Sequence, residues 1–270
     1  MMKTKSYKAF TLIELLVVIS IIALLMSVLM PALGSARAIA KKAVCKSNIR
    51  QIAIANNLYS QENDGEFVLA ATDIYASSGG LSRWHGKRDN VNEAFEFTRS
   101  DLFPYLQTDS IKECPEKVDF IDGQTWDSDF EKGGGGYGYN MTYVGSGSWR
   151  GGTATYNKAT KQSDVSCPSQ TVMFADSAMA KLDKGVPYFL EYSFIEPPFF
   201  VSRGMVQKNW GYTSPSMHFR HRHKANIVWV DTHVSELNAV AFDEFNAYGV
   251  KSSDMGLGWP ELNNSLFDLK

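Results

Sequence analysis

Apolar side chains are spread very unevenly along the chain. From Phe10 to Met30 the run FTLIELLVVISIIALLMSVLM holds 17 apolar positions in 21, interrupted by Thr11, Glu14, Ser20 and Ser27. At about 1.5 Å per residue it reaches roughly 30 Å, the hydrocarbon thickness of a bilayer, so the pattern predicts a membrane-spanning helix over 10–30. Pro31 lacks the N–H that would bond back to residue 27 and predicts a kink in a helix that otherwise continues. Cys45, Ile49, Ile52 and Tyr59 then recur at helical spacing, which predicts an amphipathic continuation over 31–62. Asn63-Asp64-Gly65 is a turn signal that ends it.

After Gly65 the pattern changes to short apolar or aromatic runs broken by Gly, Pro, Asn and Asp, as expected of a loop-rich β domain over 63–270. Phe67 to Ala70, Met141 to Val144, Thr171 to Ala175, Tyr188 to Phe194 and Ala225 to Val230 read as strands, and Asn90 to Arg99 as a short helix. Nine of the twenty residues from Gly133 to Gly152 are glycine, with Tyr137, Tyr139, Tyr143 and Trp149 among them. No Gly-Lys-Ser/Thr follows, which excludes a phosphate-binding loop, and the stretch reads as a flexible connection or a loop that presents aromatics. The fold class is α+β: a long N-terminal helix packed on an antiparallel sheet.

Charge divides the chain in two. Residues 1–50 carry eight Lys/Arg against Glu14 alone, and residues 51–270 carry 19 basic and 28 acidic side chains, giving about +7 and −9. A global basic surface for nucleic acid is thereby excluded; the basic residues from Arg37 to Arg50 read as a solvated or lipid-headgroup face. MMKTKSYKA, ahead of the apolar run, has three lysines and no acid and is expected to stay cytoplasmic, whereas the five basic residues after the run argue for the opposite orientation. Three readings fit this N-terminus: a secretory signal cut near Ala36-Arg37-Ala38, an uncleaved signal anchor, and a leader cut in front of the apolar run. Glu14 discriminates among them. A carboxylate inside a membrane helix needs a partner, and cleavage before Phe10 would create a cationic amine four residues away.

Lys8-Ala9-Phe10-Thr11-Leu12-Ile13-Glu14-Leu15 resembles the leader junction of type IV prepilins and type II secretion pseudopilins. The resemblance implies a leader over 1–9 that a prepilin peptidase cuts between Ala9 and Phe10, N-methylation of Phe10, and Glu14 as the residue that pairs with a neighbour's amine during assembly. Ala9 stands where the family usually has glycine. The resemblance also implies a single pass through the inner membrane, a periplasmic C-terminal domain, other pilin-like subunits, membrane lipid and an assembly platform as partners, no cofactor, and a structural rather than an enzymatic role.

Four of the five histidines, His218, His221, His223 and His233, lie within sixteen residues of one another beside Asp231. They define a second reading, a membrane-anchored or secreted metal-binding hydrolase, although Arg220 and Arg222 would oppose a cation. The same stretch is similar to the His, nine residues, Asp-Gly signature of prepilin-processing-associated proteins, with His221 and Asp231 in register and Thr232 in place of the glycine. A two-residue Asp-Gly turn needs φ > 0 at its second position, which a β-branched residue resists. Fragments resembling that family occur in order: CKSNIRQI from Cys45, Pro104-Tyr105-Leu106, Cys114-Pro115, GYGYN from Gly136, and VMFADS from Val172. Three cysteines allow three pairings in an oxidising compartment. Because Cys45 and Cys114 both lie in such fragments, the resemblance favours a Cys45–Cys114 disulfide joining helix to head.

Overall fold

A computed structural model describes residues 11–75, 80–108, 113–116, 118–120 and 131–269. The leader and the Ala9–Phe10 junction lie outside the described residues. The chain divides into two compact units, Met1–Lys41 and Lys42–Lys270.

One helix, α1, runs Leu12–Glu62 and continues through Pro31. In the first unit its apolar side chains find nothing to pack on: every Leu, Ile, Val and Met from Leu12 to Met30 is 45–79% exposed. Its polar residues satisfy themselves locally. The Ser20 and Ser27 hydroxyls donate to the carbonyls of Val17 and Leu24 at 2.8 and 2.7 Å, which is how a hydroxyl is tolerated in apolar surroundings.

In the second unit α1 buries Cys45, Asn48, Ile49, Ile52, Ala53, Ala55, Asn56 and Ser60. The expected face is present and is broader than the apolar stripe, because two asparagines belong to it while Tyr59 is only half-buried. The helix ends where Asp64 and Gly65 turn to φ 50° and 81°.

The head is organised by six strands: β1 (Tyr137–Tyr139), β2 (Val172–Asp176), β3 (Met179–Asp183), β4 (Val186–Leu190), β5 (Lys224–Trp229) and β6 (Val234–Asn238). Four of them form an antiparallel sheet in the order β6-β5-β2-β1, while β3 and β4 make a separate hairpin. Ile227 of β5 faces Ala175 of β2 and Ser235 of β6, with a register shift between Val228 and Trp229. All five residues of β2 are buried, so this apolar strand has no alternation to show. The apolar runs 171–175 and 225–230 thus become the central strands.

Other expectations fail for identifiable reasons. Met141 to Val144 is a turn, organised by the buried Asn140, whose side chain accepts from the Tyr143 N–H and donates to the carbonyls of Val172 and Phe267. Phe67 to Ala70 joins no sheet; its N–H groups bond to Thr160 O, the Asn56 side chain and Gly145 O. The run 188–194 contributes only its first residues, to β4. The stretch 90–99 holds one short helical turn, Phe97–Arg99, rather than a helix.

The glycine-rich stretch is core, not a flexible connection. Tyr137 and Tyr139 are fully buried and Tyr143 nearly so, with Tyr139 stacked on Phe174 at 4.4 Å between ring centres. Gly138 is required between the two tyrosines: a Cβ there would lie 2.6 Å from the Phe194 carbonyl oxygen. Glycine serves close approach here, which composition alone cannot distinguish from looseness.

Lys42 and Lys46 correct the reading of the basic stretch as wholly solvated. Both reach Glu236 of β6, Lys42 at 3.0 Å, and so fasten the helix to the sheet edge.

Candidate functional site

At the start of α1 the Glu14 carboxylate accepts the Thr11 backbone N–H and hydroxyl, both at 2.8 Å, an N-terminal cap closed by the first acid of the helix.

The second site lies inside the head. Cys45 of α1, Cys114, Asp176 at the end of β2 and His221 converge so closely that one donor atom from each lies within 4.8 Å of the others, all four residues being buried. The Cys45 thiol donates to Asp176 Oδ1 at 3.2 Å, Cys114 Sγ lies 3.3 Å from His221 Nε2, and that nitrogen is 3.5 Å from Asp176 Oδ2. The Tyr137 hydroxyl donates to Cys45 Sγ at 3.3 Å, and the Asn226 N–H to Asp176 Oδ2 at 2.7 Å.

Local folding explains each placement. His221 is fixed by a two-residue turn in which it exchanges both backbone hydrogen bonds with Lys224 and Arg222 and His223 adopt φ 55° and 64°, the pattern of a type I′ hairpin. Asp176 is held by pairing with Tyr137 across β1 and β2.

Electrostatics differ around the cluster. Burial raises the Cys45 thiol, whereas its hydrogen bond with Cys45 lowers Cys114. Burial alone would lower His221, but hydrogen bonds to Asp176 and Cys114 raise it to about 9.

The cluster departs from the expected ligand set. Of His218, His221, His223, Asp231 and His233, only His221 joins it. His218 is buried beside the Phe189 ring, and burial holds it neutral, down to about 2. His223 sits in the turn, and His233 pairs with Asp231 at 2.6 Å on the β5–β6 hairpin. His221 and Asp231 therefore occupy different places despite their nine-residue spacing. Cys45 and Cys114 do meet, as free thiols, with Cys167 also free.

Asp176 and Tyr137 were missed as site residues. The available signal was an acid ending a wholly apolar strand, and the fragments headed by Cys45, Cys114, Gly136, Val172 and the histidine stretch each contribute a residue to this one place.

Thr232 is the third residue of a three-residue β5–β6 loop and sits at φ 71°, with its N–H bonded to Trp229 O. The loop has the type I turn plus left-handed residue of a bulged hairpin. Threonine therefore occupies a position suited to glycine, and the turn has a shape other than the two-residue form that a β-branched residue resists.

Two further features bear on catalysis and binding. His85 Nε2 lies 2.7 Å from Ser193 Oγ, and Ser193 donates to Glu131, but the acid faces the serine instead of orienting the imidazole, whose Nδ1 has no hydrogen-bond partner among the described residues. Arg83 already engages Glu131 at 2.7 Å. All four side chains are buried, so this is a structural network and not an activated nucleophile. A separate cavity of about 440 Å³ is lined by Tyr75, Tyr192, Phe200, Trp210 and Tyr248; these, not the tyrosines of the glycine-rich stretch, are the aromatics the head presents.

Residues 4–30 match the family described as the prokaryotic N-terminal methylation motif. No characterised protein and no solved structure matches the chain. The match, together with an exposed helix long and apolar enough to cross a membrane, supports a type IV pilin-like protein. Within that class it supports a membrane-anchored prepilin-like subunit.

Proposed function

We propose that this chain is a pilin-like structural subunit, processed at its N-terminus and assembled through α1 into a type II secretion or type IV pilus-like filament. The leader 1–9 is hydrolysed from Phe10 by a prepilin peptidase, and the new amine of Phe10 is methylated. Residues 10–30 hold the subunit in the inner membrane, with the leader cytoplasmic and residues 63–270 periplasmic. An assembly platform withdraws subunits from lipid, and helix packing then replaces lipid contacts.

The observation that carries this reading is the motif at 4–30, which runs into a helix whose apolar side chains from Leu12 to Met30 are exposed among the described residues. Such a surface requires lipid or neighbouring helices. Glu14 sets the register: its carboxylate is one turn from the processed end, where a neighbour's N-methylated amine offsets its charge.

Mass spectrometry of the chain recovered from membranes tests the processing step. The expected terminus is N-methyl-Phe10; an intact Met1, or a terminus at Ile39, overturns it. For assembly, Glu14→Gln should leave membrane extraction unchanged and reduce sheared filament at least about tenfold, as a lost buried ion pair would. Filament at the unsubstituted level would remove Glu14 from the scheme.

A further inference from the structure

Inside the head, four side chains of zinc-ligand chemistry converge on one point. We propose that Cys45, Cys114, Asp176 and His221 bind one zinc ion in a closed tetrahedral site that pins the C-terminal half of α1 to the sheet. The site stands independently of filament assembly, since all its residues belong to the second unit.

Spacing is the first argument. A tetrahedral centre with bonds of about 2.0–2.3 Å to N, O and S places its donors roughly 3.3–3.8 Å apart. The Cys45 Sγ–Asp176 Oδ1, Cys114 Sγ–His221 Nε2 and His221 Nε2–Asp176 Oδ2 separations are 3.2, 3.3 and 3.5 Å. The two Asp176 contacts use different carboxylate oxygens, and one donor atom from each residue lies within 4.8 Å of the others, so the donors close in slightly around the ion. Thiolate, imidazole and carboxylate together select a borderline metal such as zinc rather than an oxygen-seeking cation. A disulfide would use the two sulfurs and leave unexplained why an imidazole and a carboxylate are aimed at the same point.

Support around the donors is the second argument. The Asn226 N–H holds Asp176 Oδ2 and leaves Oδ1 facing Cys45, and the Tyr137 hydroxyl points at Cys45 Sγ. Such outer hydrogen bonds orient ligands and tune their basicity. Binding releases to water the Cys45 thiol proton and the proton of the Cys114–His221 hydrogen bond and moves no electrons, so the donors become two thiolates, a carboxylate and a neutral imidazole. Three negative donors against Zn²⁺ leave one negative charge. The Arg220 guanidinium, hydrogen-bonded to the carbonyls of Gly136 and Ser177, lies beside the site to offset it, so an arginine that seemed to oppose a cation instead balances one.

Access is the third. Cys114 opens onto a cavity of about 460 Å³ whose walls include Glu113, Glu116, Asp119 and Glu191 together with Arg220, so four acids against one base give a cation a route to the site. Four protein donors fill the four tetrahedral positions and leave none for water or substrate, which makes the site structural and not hydrolytic.

The test uses the full chain in detergent, purified under reducing conditions and incubated with excess zinc. Elemental analysis should return about one zinc per chain, with Cys45 and Cys114 protected from alkylation until a chelator is added. Asp176→Asn and Cys114→Ser should lower zinc at least about tenfold, matching the loss expected of a ligand, while Cys167→Ser keeps it. Because the ligand variants could also unfold, cobalt(II) is loaded into the unsubstituted chain, where thiolate charge-transfer and tetrahedral ligand-field bands are expected. No metal with both thiols reactive, a Cys45–Cys114 cross-linked peptide, or zinc lost in Cys167→Ser would each overturn the proposal.

Discussion

The two halves of α1 share a backbone conformation and almost nothing else. From Leu12 to Met30 the helix is apolar all round apart from Glu14, Ser20 and Ser27, its apolar side chains are exposed, and those polar groups bond within one turn. After Lys42 it buries asparagines and a cysteine whose partners lie far away in sequence: Asn56 bonds to Tyr139 and Val68, Asn57 to the Val230 carbonyl, and Cys45 to Asp176. The first half has uniform chemistry and needs a uniform surrounding, lipid or like helices. The second has individual chemistry and needs particular neighbours. A uniform surface tolerates single changes, whereas buried polar groups with one partner each do not.

The contrast breaks most sharply at Asn56. Asn56→Ala removes the partner of the buried Val68 N–H and the donor to the Tyr139 hydroxyl, which keeps its own bond to the Val68 carbonyl, and should cost the head about 2 kcal/mol in thermal unfolding of the full chain in detergent. Ile21→Ala, in the exposed half, should change the same transition by less than about 0.5 kcal/mol. Equal effects from the two would end the distinction drawn here.

A second effect concerns pH. Burial, then Arg83 and Arg88, lowers His85 to about 3, far below its unfolded value of 6.5. Above pH 6.5 the ring is neutral in both states and contributes no pH dependence. Below it the unfolded chain binds a proton that the folded chain excludes, so stability falls as pH drops from 6.5 towards 3, by up to about 1.4 kcal/mol per pH unit. His85→Gln should flatten this part of the urea-unfolding profile. An unchanged slope would mean that His85 takes up its proton while folded.

The smallest expected effect is a gain. Thr232 holds φ 71° in a conformation that costs a β-branched residue about 1–2 kcal/mol. Thr232→Gly should recover about 0.5–1 kcal/mol, a rise of roughly 2–4 °C in melting temperature. A fall would show that the threonine side chain stabilises the loop by more than its backbone strain.

Legibility in the sequence followed the same division. Phe10 to Met30 announced its helix and its surroundings because apolar content is a property of the run itself. The turn at 63–65, the buried runs 171–175 and 225–230, and the α+β class were also readable, since local propensity and burial agree there. The reading failed where a residue's role depends on what approaches it. Glycines from Gly133 to Gly152 looked like slack and proved to admit close packing, and the apolar run 141–144 was overruled by a single buried asparagine. Of the histidines grouped by spacing as a ligand set, only His221 entered a cluster, and there it joined Asp176 and two cysteines from distant fragments.

Sequence by itself determined the helix, its membrane-type first half and the methylation-type motif at 4–30, because each depends on contiguous residues and elementary solvation. Only the tertiary structure decided that Cys45, Cys114, Asp176 and His221 meet. That meeting requires α1, the end of β2 and the turn before β5 to be brought together by the packing of a whole core, and no local pattern encodes the distances that result.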